Sequence, residues 1–219
     1  MELYPKSRIA LKEVKKFIII FYTVGFVGFL IPASRNIFIR LTPLALLLCV
    51  YLLAVYHNHY NRKSFLLFLI IYFLGFSVEV IGVNTGVIFG HYHYGAALAL
   101  KVFETPLMIG INWLFLVYIS TSIIDSFKVK PWITILLAPL LILAYDLFLE
   151  QVAPALDMWH WEASQVPLKN YFAWLFISFV FVGIFKLFKI KTENTLAKVL
   201  FICQFLFFGL LSLTLKIKV

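Results

Sequence analysis

The sequence predicts an all-α, polytopic integral membrane bundle of about seven transmembrane helices, with two re-entrant or lid-like aromatic loops. Three observations carry this. The 219 residues are 63% hydrophobic and only 13% charged, with mean hydropathy +0.98, whereas soluble domains hold roughly 45–50% apolar and about 25% charged residues. The apolar residues fall in runs of roughly 20, the length that spans a hydrocarbon core. The Lys and Arg residues cluster between these runs. A single helical domain over residues 1–219 is the expected organisation.

The first run, 14–31, is ended by Pro32 and follows a basic stretch of Lys6, Arg8, Lys12, Lys15 and Lys16. No small-residue cleavage site follows and further spans do, so an uncleaved first helix is expected. The second, 37–56, carries Pro43 near its start and Arg40. The third, 64–83, leads into the stretch around which the chain is organised. The fourth, 105–124, has Pro106 placed for a first helical turn. The fifth, sixth and seventh are 131–150, 168–188 and 195–215. There is no internal repeat.

The net charge of +9 follows from basic loops facing an anionic leaflet and not from a nucleic-acid face, so no nucleic-acid partner is expected. The larger basic set is the N-terminus, Arg62/Lys63, Lys128/Lys130 and Lys186/Lys189/Lys191/Lys198. The smaller is Arg35/Arg40, Lys101, Lys169 and Lys216/Lys218. The expectation is an inner (cytoplasmic) membrane protein with its N-terminus in the cytoplasm and its C-terminus outside. Cys49 and Cys203 both lie inside apolar runs and form no metal or disulfide pattern.

This topology brings the unusual polar residues to one end. Glu79 closes the third helix, Asn112 and Trp113 open the fourth, Asp146 and Glu150 close the fifth, and Asn170 opens the sixth. The two longest loops, 84–104 and 151–167, close over the same end. Non-helical backbone at membrane depth is tolerated only inside protein or along a cavity, which gives these loops their lid reading.

The stretch EVIGVNTGVIFGHYHY, residues 79–94, holds a carboxylate, three glycines spaced four apart and alternating His and Tyr. Ionisable residues in such a setting are expensive and point to function. Glu79 is either an interfacial carboxylate reaching water or a functional acid in an apolar pocket. Asp146 and Glu150, at i and i+4, share a helix face. Asp146 sits in LILAYDLFLE, where a charge needs a reason; Glu150 is as compatible with marking the interface. Asn112 and Asn170 read equally as interhelical hydrogen-bonding residues or as functional groups. His91 and His93 would face one way in an extended segment, and His57 and His59 form a second such pair, but topology puts the pairs at opposite ends. No metal site is expected, and His57/His59 read as a polar loop. Trp159-His160-Trp161 reads as an interfacial aromatic belt or as a lid over a hydrophobic substrate.

These motifs resemble a known family. Residues 79–94 are similar to the E-x-x-G-V-x-T-G-x-x-F-G-x-Y-x-Y signature of the membrane carotenoid biosynthesis family that includes the carotenoid 1,2-hydratases of the bisanhydrobacterioruberin and γ-carotene type. The resemblance continues through PLMIGINW (106–113), YDLFLEQVAPALDMWHW (145–161) and VPLKNYFAW (166–174), covering roughly 75–180 in order. The first two helices and the last are matched in hydropathy alone. Glu150-Gln151 departs from an expected acid followed by proline, which bears on local loop geometry.

The resemblance implies addition of water to the terminal C1–C2 double bond of an acyclic carotenoid such as lycopene. Protonation at C2 gives a tertiary cation at C1, which water captures. The chemistry asks for an acid, Glu79 or Asp146, with Glu150 as a further catalytic carboxylate. Aromatic faces such as Phe89, Tyr92, Tyr94, Trp113 or Trp159 suit the cation, with Trp161 as a further residue supporting the substrate. Asn112, Asn170, Thr85 or His93 could support substrate or water. No cofactor or metal is implied. The implied partners are the polyene, water and membrane lipid, with room for a homo-oligomer or association with other carotenoid enzymes. A carotenoid cyclase would begin with the same protonation and exclude water. From another class, a small transporter would need midplane charges and repeated halves, and a retinal protein a lysine deep in a helix. Lys198 and Lys216 lie only at the edges of the last one.

Overall fold

A computed structural model describes residues 9–216. Lys6, Arg8 and Lys218 of the loop-charge pattern lie outside the described residues. Seven helices follow in order: α1 (Leu11–Leu30), α2 (Pro32–Val55), α3 (Arg62–Thr85), α4 (Met108–Asp125), α5 (Pro131–Val152), α6 (Leu168–Leu187) and α7 (Ala197–Lys216). All but α1 are long and apolar enough to cross a membrane. The first turns of α1 carry Lys12, Glu13, Lys15 and Lys16, which keeps it from the same class. The chain is an all-α multi-pass membrane bundle.

Local chemistry sets the boundaries. Only Ile31, in extended conformation, separates α1 from α2. Pro32 therefore opens α2 as well as ending α1, and α2 begins earlier than the expected 37. Its missing N–H falls where a helix leaves donors unused. The exposed end of α1 is satisfied from α2: Ser34 Oγ donates to Gly28 O at 2.8 Å and Arg35 Nε to Phe29 O at 2.9 Å. At the start of α3, Asn61 Oδ1 accepts the Ser64 N–H while Ser64 Oγ accepts the Asn61 N–H, a reciprocal cap. At its end Gly86 takes the left-handed conformation, φ 65°, which favours glycine.

The helix α4 is the axis of the bundle. Helices α3, α5 and α7 pack against it, with α2 and α6 making smaller contacts. Nearly all of its face is buried, including Phe115, Leu116, Val117 and Ile119. At the end of the bundle remote from Glu79, Asp125 fastens α4 to its neighbours. Its carboxylate receives the Thr134 hydroxyl of α5 at 2.8 Å, the Lys186 ammonium of α6, and the Thr192 hydroxyl at 3.2 Å.

The expected start of the fourth helix is corrected. Thr105–Pro106 lies in a strand paired with Lys101–Val102, and α4 starts at Met108. The tight turn between these strands holds Phe103 and Glu104 at positive φ, so Pro106 completes a hairpin instead of a first helical turn. The two long loops also meet. The strand Tyr92–Tyr94 pairs antiparallel with the strand Trp159–Trp161, matching Tyr92 with Trp161, His93 with His160 and Tyr94 with Trp159. This ribbon roofs the end of the bundle where α3 and α5 finish and α4 and α6 begin.

Candidate functional site

The period of two in a strand explains how the roof is built. In both Tyr-His-Tyr and Trp-His-Trp the aromatic residues at the outer positions turn inward and are buried, while the central histidine turns outward. Two segments with the same alternation, in register, give one face of four inward aromatics above the helix ends. His93 and His160 stack on the outer face, ring centroids 5.3 Å apart. The Trp159–Trp161 segment is thus a lid and not a lipid-facing belt. The loops are joined further by Asp157. Its Oδ2 accepts the Ala96 N–H at 2.9 Å, its Oδ1 lies 3.1 Å from His160 Nε2, and its carbonyl accepts the Ala97 N–H. The Ala96 N–H, aided by His160, holds the Asp157 carboxyl below the usual aspartate range. Gly95 is needed here: a Cβ would lie 2.2 Å from the Asp157 carbonyl oxygen.

Beneath the roof are three buried carboxyls in contrasting surroundings. Glu79, 3% exposed, does not reach water as an interfacial carboxylate would. Its Oε2 accepts the hydroxyls of Tyr92 at 2.7 Å and Tyr94 at 2.6 Å, and its Oε1 accepts Trp113 Nε1–H at 2.9 Å. Burial, and then the adjacent Glu79 charge, push both phenols above their ordinary range, so they stay neutral and available as donors. Glu150 is also buried and does not mark the interface. Its Oε2 accepts the indole N–H groups of Trp159 at 2.9 Å and Trp161 at 2.8 Å, and its Oε1 accepts the Asn170 amide N–H at 2.9 Å. Asp146, one helical turn before Glu150, is fully buried, and neither of its carboxyl oxygens has a hydrogen-bond partner.

The framework holding these groups is stiff and aromatic. Trp113 stacks on Trp174 at 4.1 Å between ring centroids. It fits because Gly75 of α3 has no Cβ, which would come within 2.7 Å of Trp113. Gly82 plays the same part for Phe89, whose ring would lie 2.4 Å from an added Cβ. A narrow cavity of about 20 Å³ lies among Glu79, Glu150, Tyr92, Tyr94, Asn112 and their neighbours. Beside it is a larger, mostly apolar cavity of about 300 Å³ between α1, α2, α4, α5 and α7. Ile109, Asn112 and Trp159 line both. The Asn112 amide, part-exposed, makes no hydrogen bond among the described residues. Ligand pockets commonly begin near 300 Å³, with apolar walls and a few convergent polar groups.

The structure therefore brings together Glu79, Asp146, Glu150, Asn112, Trp113, Asn170, Phe89, Tyr92, Tyr94, Trp159 and Trp161. It does not bring in Thr85, which is exposed and donates to Ile81 O at 2.6 Å, because the helix turns that hydroxyl back along its own backbone. Nor does it bring in His93, which strand alternation points outward. Among the described residues no group of three His, Cys, Asp or Glu is arranged to hold a metal ion. His57 is in a loop, as expected, but is buried instead of solvated. Sequence reasoning missed Trp174, the last residue of VPLKNYFAW, whose spacing of four from Asn170 places both on one face of α6. It also missed Tyr145 and Gln204, which line the larger cavity.

No curated protein and no solved structure matches the chain. A family model does, over residues 41–219, a span that takes in every residue of the carboxyl cluster and most of the large cavity. It extends the resemblance carried by residues 75–180 through most of α2 and to the last helix. By that match the chain belongs to the carotenoid biosynthesis protein family.

Proposed function

We propose that the protein is a carotenoid 1,2-hydratase, adding water across the terminal double bond of an acyclic carotenoid end. The observation that carries this is the joining of an apolar cavity to a buried carboxyl cluster, with three residues shared between them. A polyene end can lie in the cavity with its terminal isopropylidene group directed at the acids. No soluble substrate is needed, since the polyene dissolves in the same membrane as the helices.

The hydrogen-bond partners divide the roles. Glu79 has two tyrosine hydroxyls, and a hydroxyl can donate or accept. Glu79 can therefore carry a proton on Oε2 once one phenol turns from donor to acceptor, and it is the acid of this mechanism. Glu150 is surrounded by three N–H donors that cannot accept, an arrangement suited to a permanent carboxylate. Asp146 has no donor on either oxygen and is least costly to bury as the neutral acid. Two negative charges then share the cluster instead of three, and the resting charge falls when Glu79 is protonated.

Transfer of the Glu79 proton to C2 uses the C1–C2 π electrons and leaves a tertiary cation at C1. The Glu150 carboxylate and the faces of Phe89, Trp159 and Trp161 stabilise that cation. A water held by Asn112 adds its oxygen to C1, and its extra proton returns to Glu79. The sum is one water added, with no oxidant or cofactor consumed. A cyclase shares the first step but loses a proton from the ring it forms. The free Asn112 amide beside the acids favours capture by water.

The test is expression in a lycopene-producing bacterium, with chromatography and mass spectrometry of the pigments. Products heavier by one or two waters with an unchanged chromophore support the hydratase. An isomer of equal mass with a shortened chromophore supports the cyclase instead.

A further inference from the structure

The wall of the large cavity is not equally closed all round. Where it borders Ile109 of α4, Tyr145 of α5, Met158 of the lid loop and Gln204 of α7, every one of these residues is buried. On α1 and α2 the wall is different. Val24, Leu41 and Leu44 line the same cavity, yet they are 53%, 43% and 61% exposed. The cavity therefore has a mouth on the flank of the bundle, between α1 and α2. Residues 17–34 and 41–56 carry no charge, so this flank suits hydrocarbon and not water.

Two ties frame the mouth. Near the turn between the helices, Gly28 lets the Phe38 ring close in, since a Cβ there would lie 2.2 Å from it. Ser34 and Arg35 hold the last carbonyls of α1 at the same place. Further along, Tyr22 Oη and Cys49 Sγ share a hydrogen bond at 3.2 Å. On α1, Val24 and Gly25 fall between Tyr22 and Gly28. On α2, Leu41, Thr42, Leu44 and Ala45 fall between Phe38 and Cys49. Gly25, Thr42 and Ala45 are small and leave room; a Cβ on Gly25 would meet Phe207 at 3.5 Å, an ordinary contact. Pro43, between Leu41 and Leu44, has no N–H for the Ile39 carbonyl, so α2 lacks one of its own hydrogen bonds at the mouth and bends most easily there.

From the mouth, one cavity leads to Ile109, Asn112 and Trp159, which also line the space among the acids. Phe21, Phe29, Phe38, Phe207 and Phe208 line the way. A flat conjugated chain stacks on such rings. Being rigid, it also loses less freedom on binding than a saturated acyl chain. At about 300 Å³ the cavity is at the small end for ligand pockets, so it takes one end of a long polyene and not the whole. We infer that the α1/α2 mouth is a binding site for a linear conjugated hydrocarbon chain, which enters through it sideways from the bilayer. The reacting end goes in first, the following stretch lies against Val24, Leu41 and Leu44, and the remainder stays in lipid. This rests on the hydratase reading for which end leads, but the binding is measurable without turnover.

The experiment titrates the full chain in lipid nanodiscs with lycopene and reads circular dichroism in the visible bands of the polyene. Lycopene free in lipid gives no such signal, whereas lycopene held by the protein does. Val24→Trp and Leu44→Trp each fill the mouth. Val27→Trp and Leu47→Trp are the controls, on the next turn of the same helices, 47% and 41% exposed and outside the cavity wall. One extra methylene against an apolar wall shifts recognition about 10–200-fold, so the mouth variants should bind lycopene at least about tenfold more weakly, and the controls should match the unaltered chain. Ala45→Leu, a smaller change on the same wall, replaces any tryptophan variant whose melting temperature falls. Mouth variants that bind as well as the unaltered chain overturn the inference. So do controls that lose as much as the mouth variants, and an unaltered chain that induces no signal. Water added at undiminished rates by both mouth variants defeats the mouth alone. Lycopene bound through the mouth with no water added by the unaltered chain defeats the hydratase reading alone.

Discussion

Replacing Glu79 separates the acid's chemical role from its structural one. The carboxylate accepts three hydrogen bonds, two from tyrosine hydroxyls and one from an indole N–H. In Glu79→Gln the amide oxygen can keep Trp113 Nε1–H, while the amide nitrogen donates to phenols that rotate to accept. The indole N–H and both phenol oxygens keep a partner on the side chain, while the phenol hydrogens lose the carboxylate as acceptor and charge-assisted bonds give way to neutral ones. At roughly 1 kcal/mol lost per bond, the total is about 3 kcal/mol. Glu79→Leu leaves two hydroxyls and an indole N–H buried and unpaired. At about 1–3 kcal/mol each, the total is roughly 3–9 kcal/mol, against a typical domain stability of about 5–15 kcal/mol. The Gln variant should therefore purify as a folded protein with a lowered melting temperature in detergent, whereas the Leu variant should aggregate or fail to accumulate. Loss of a positioned acid typically lowers rates about 10²–10⁴-fold, so Glu79→Gln should add water to lycopene at no more than about a hundredth of the unaltered rate. The assay pairs a thermal melt with pigment chromatography on the same preparation. A folded Glu79→Gln protein with undiminished hydration would refute the assignment of Glu79 as the acid. A Leu variant as stable as the Gln variant would refute the hydrogen-bond reasoning.

Other substitutions probe the scaffold. Gly82→Ala sets a Cβ 2.4 Å from the buried Phe89 ring, so the ring must shift under the lid; a loss of about 1–3 kcal/mol is expected from overpacking, read as a lower melting temperature. Asp157→Ala removes the side-chain ties to Ala96 and His160, and amide exchange should rise across both loops while the helices stay protected. The same tie has a pH signature. The Asp157 carboxyl sits below its usual range when folded, so its contribution is full above about pH 4, the unfolded value, and is lost as pH falls through the folded value. Lid exchange should therefore quicken below about pH 4 and lose this step in Asp157→Ala. At the far end, Asp125→Asn weakens the links to Lys186, Thr134 and Thr192, which should lower the melting temperature without changing the identity of the pigment product.

The helices and their common polar end were legible in the sequence because hydropathy and loop charge act locally and in a fixed order. Alternation along the chain put Glu79, Asn112, Asp146, Glu150 and Asn170 at the same end before any packing was known. The partner sets were not legible. HYHY and WHW carry the same period of two, but nothing local says that they pair with each other in register, so His91 and His93 read as a potential ligand pair instead of an outward face. Pro106 suited a helix start by its own chemistry; the hairpin that claims it depends on the positive φ at Phe103 and Glu104, which the residue types do not announce. The large cavity arises from apolar residues of five helices, and apolar residues in a membrane chain look alike whether they face lipid, protein or a void. The Asp125 cluster joins residues up to 67 positions apart with no periodic signal between them.

The most direct measurement of the central claim follows two labels at once. Purified protein in detergent is given lycopene in deuterated, oxygen-18 water, and the product is examined by mass spectrometry and NMR. Protonation followed by water capture predicts one carbon-bound deuterium at C2 and one oxygen-18 at C1 for every end that reacts. Deuterium with no oxygen-18, in a product containing a ring, would mean that the cation is trapped internally and would contradict the hydratase account. Recovery of lycopene with neither label would contradict protonation by the buried carboxyl cluster itself.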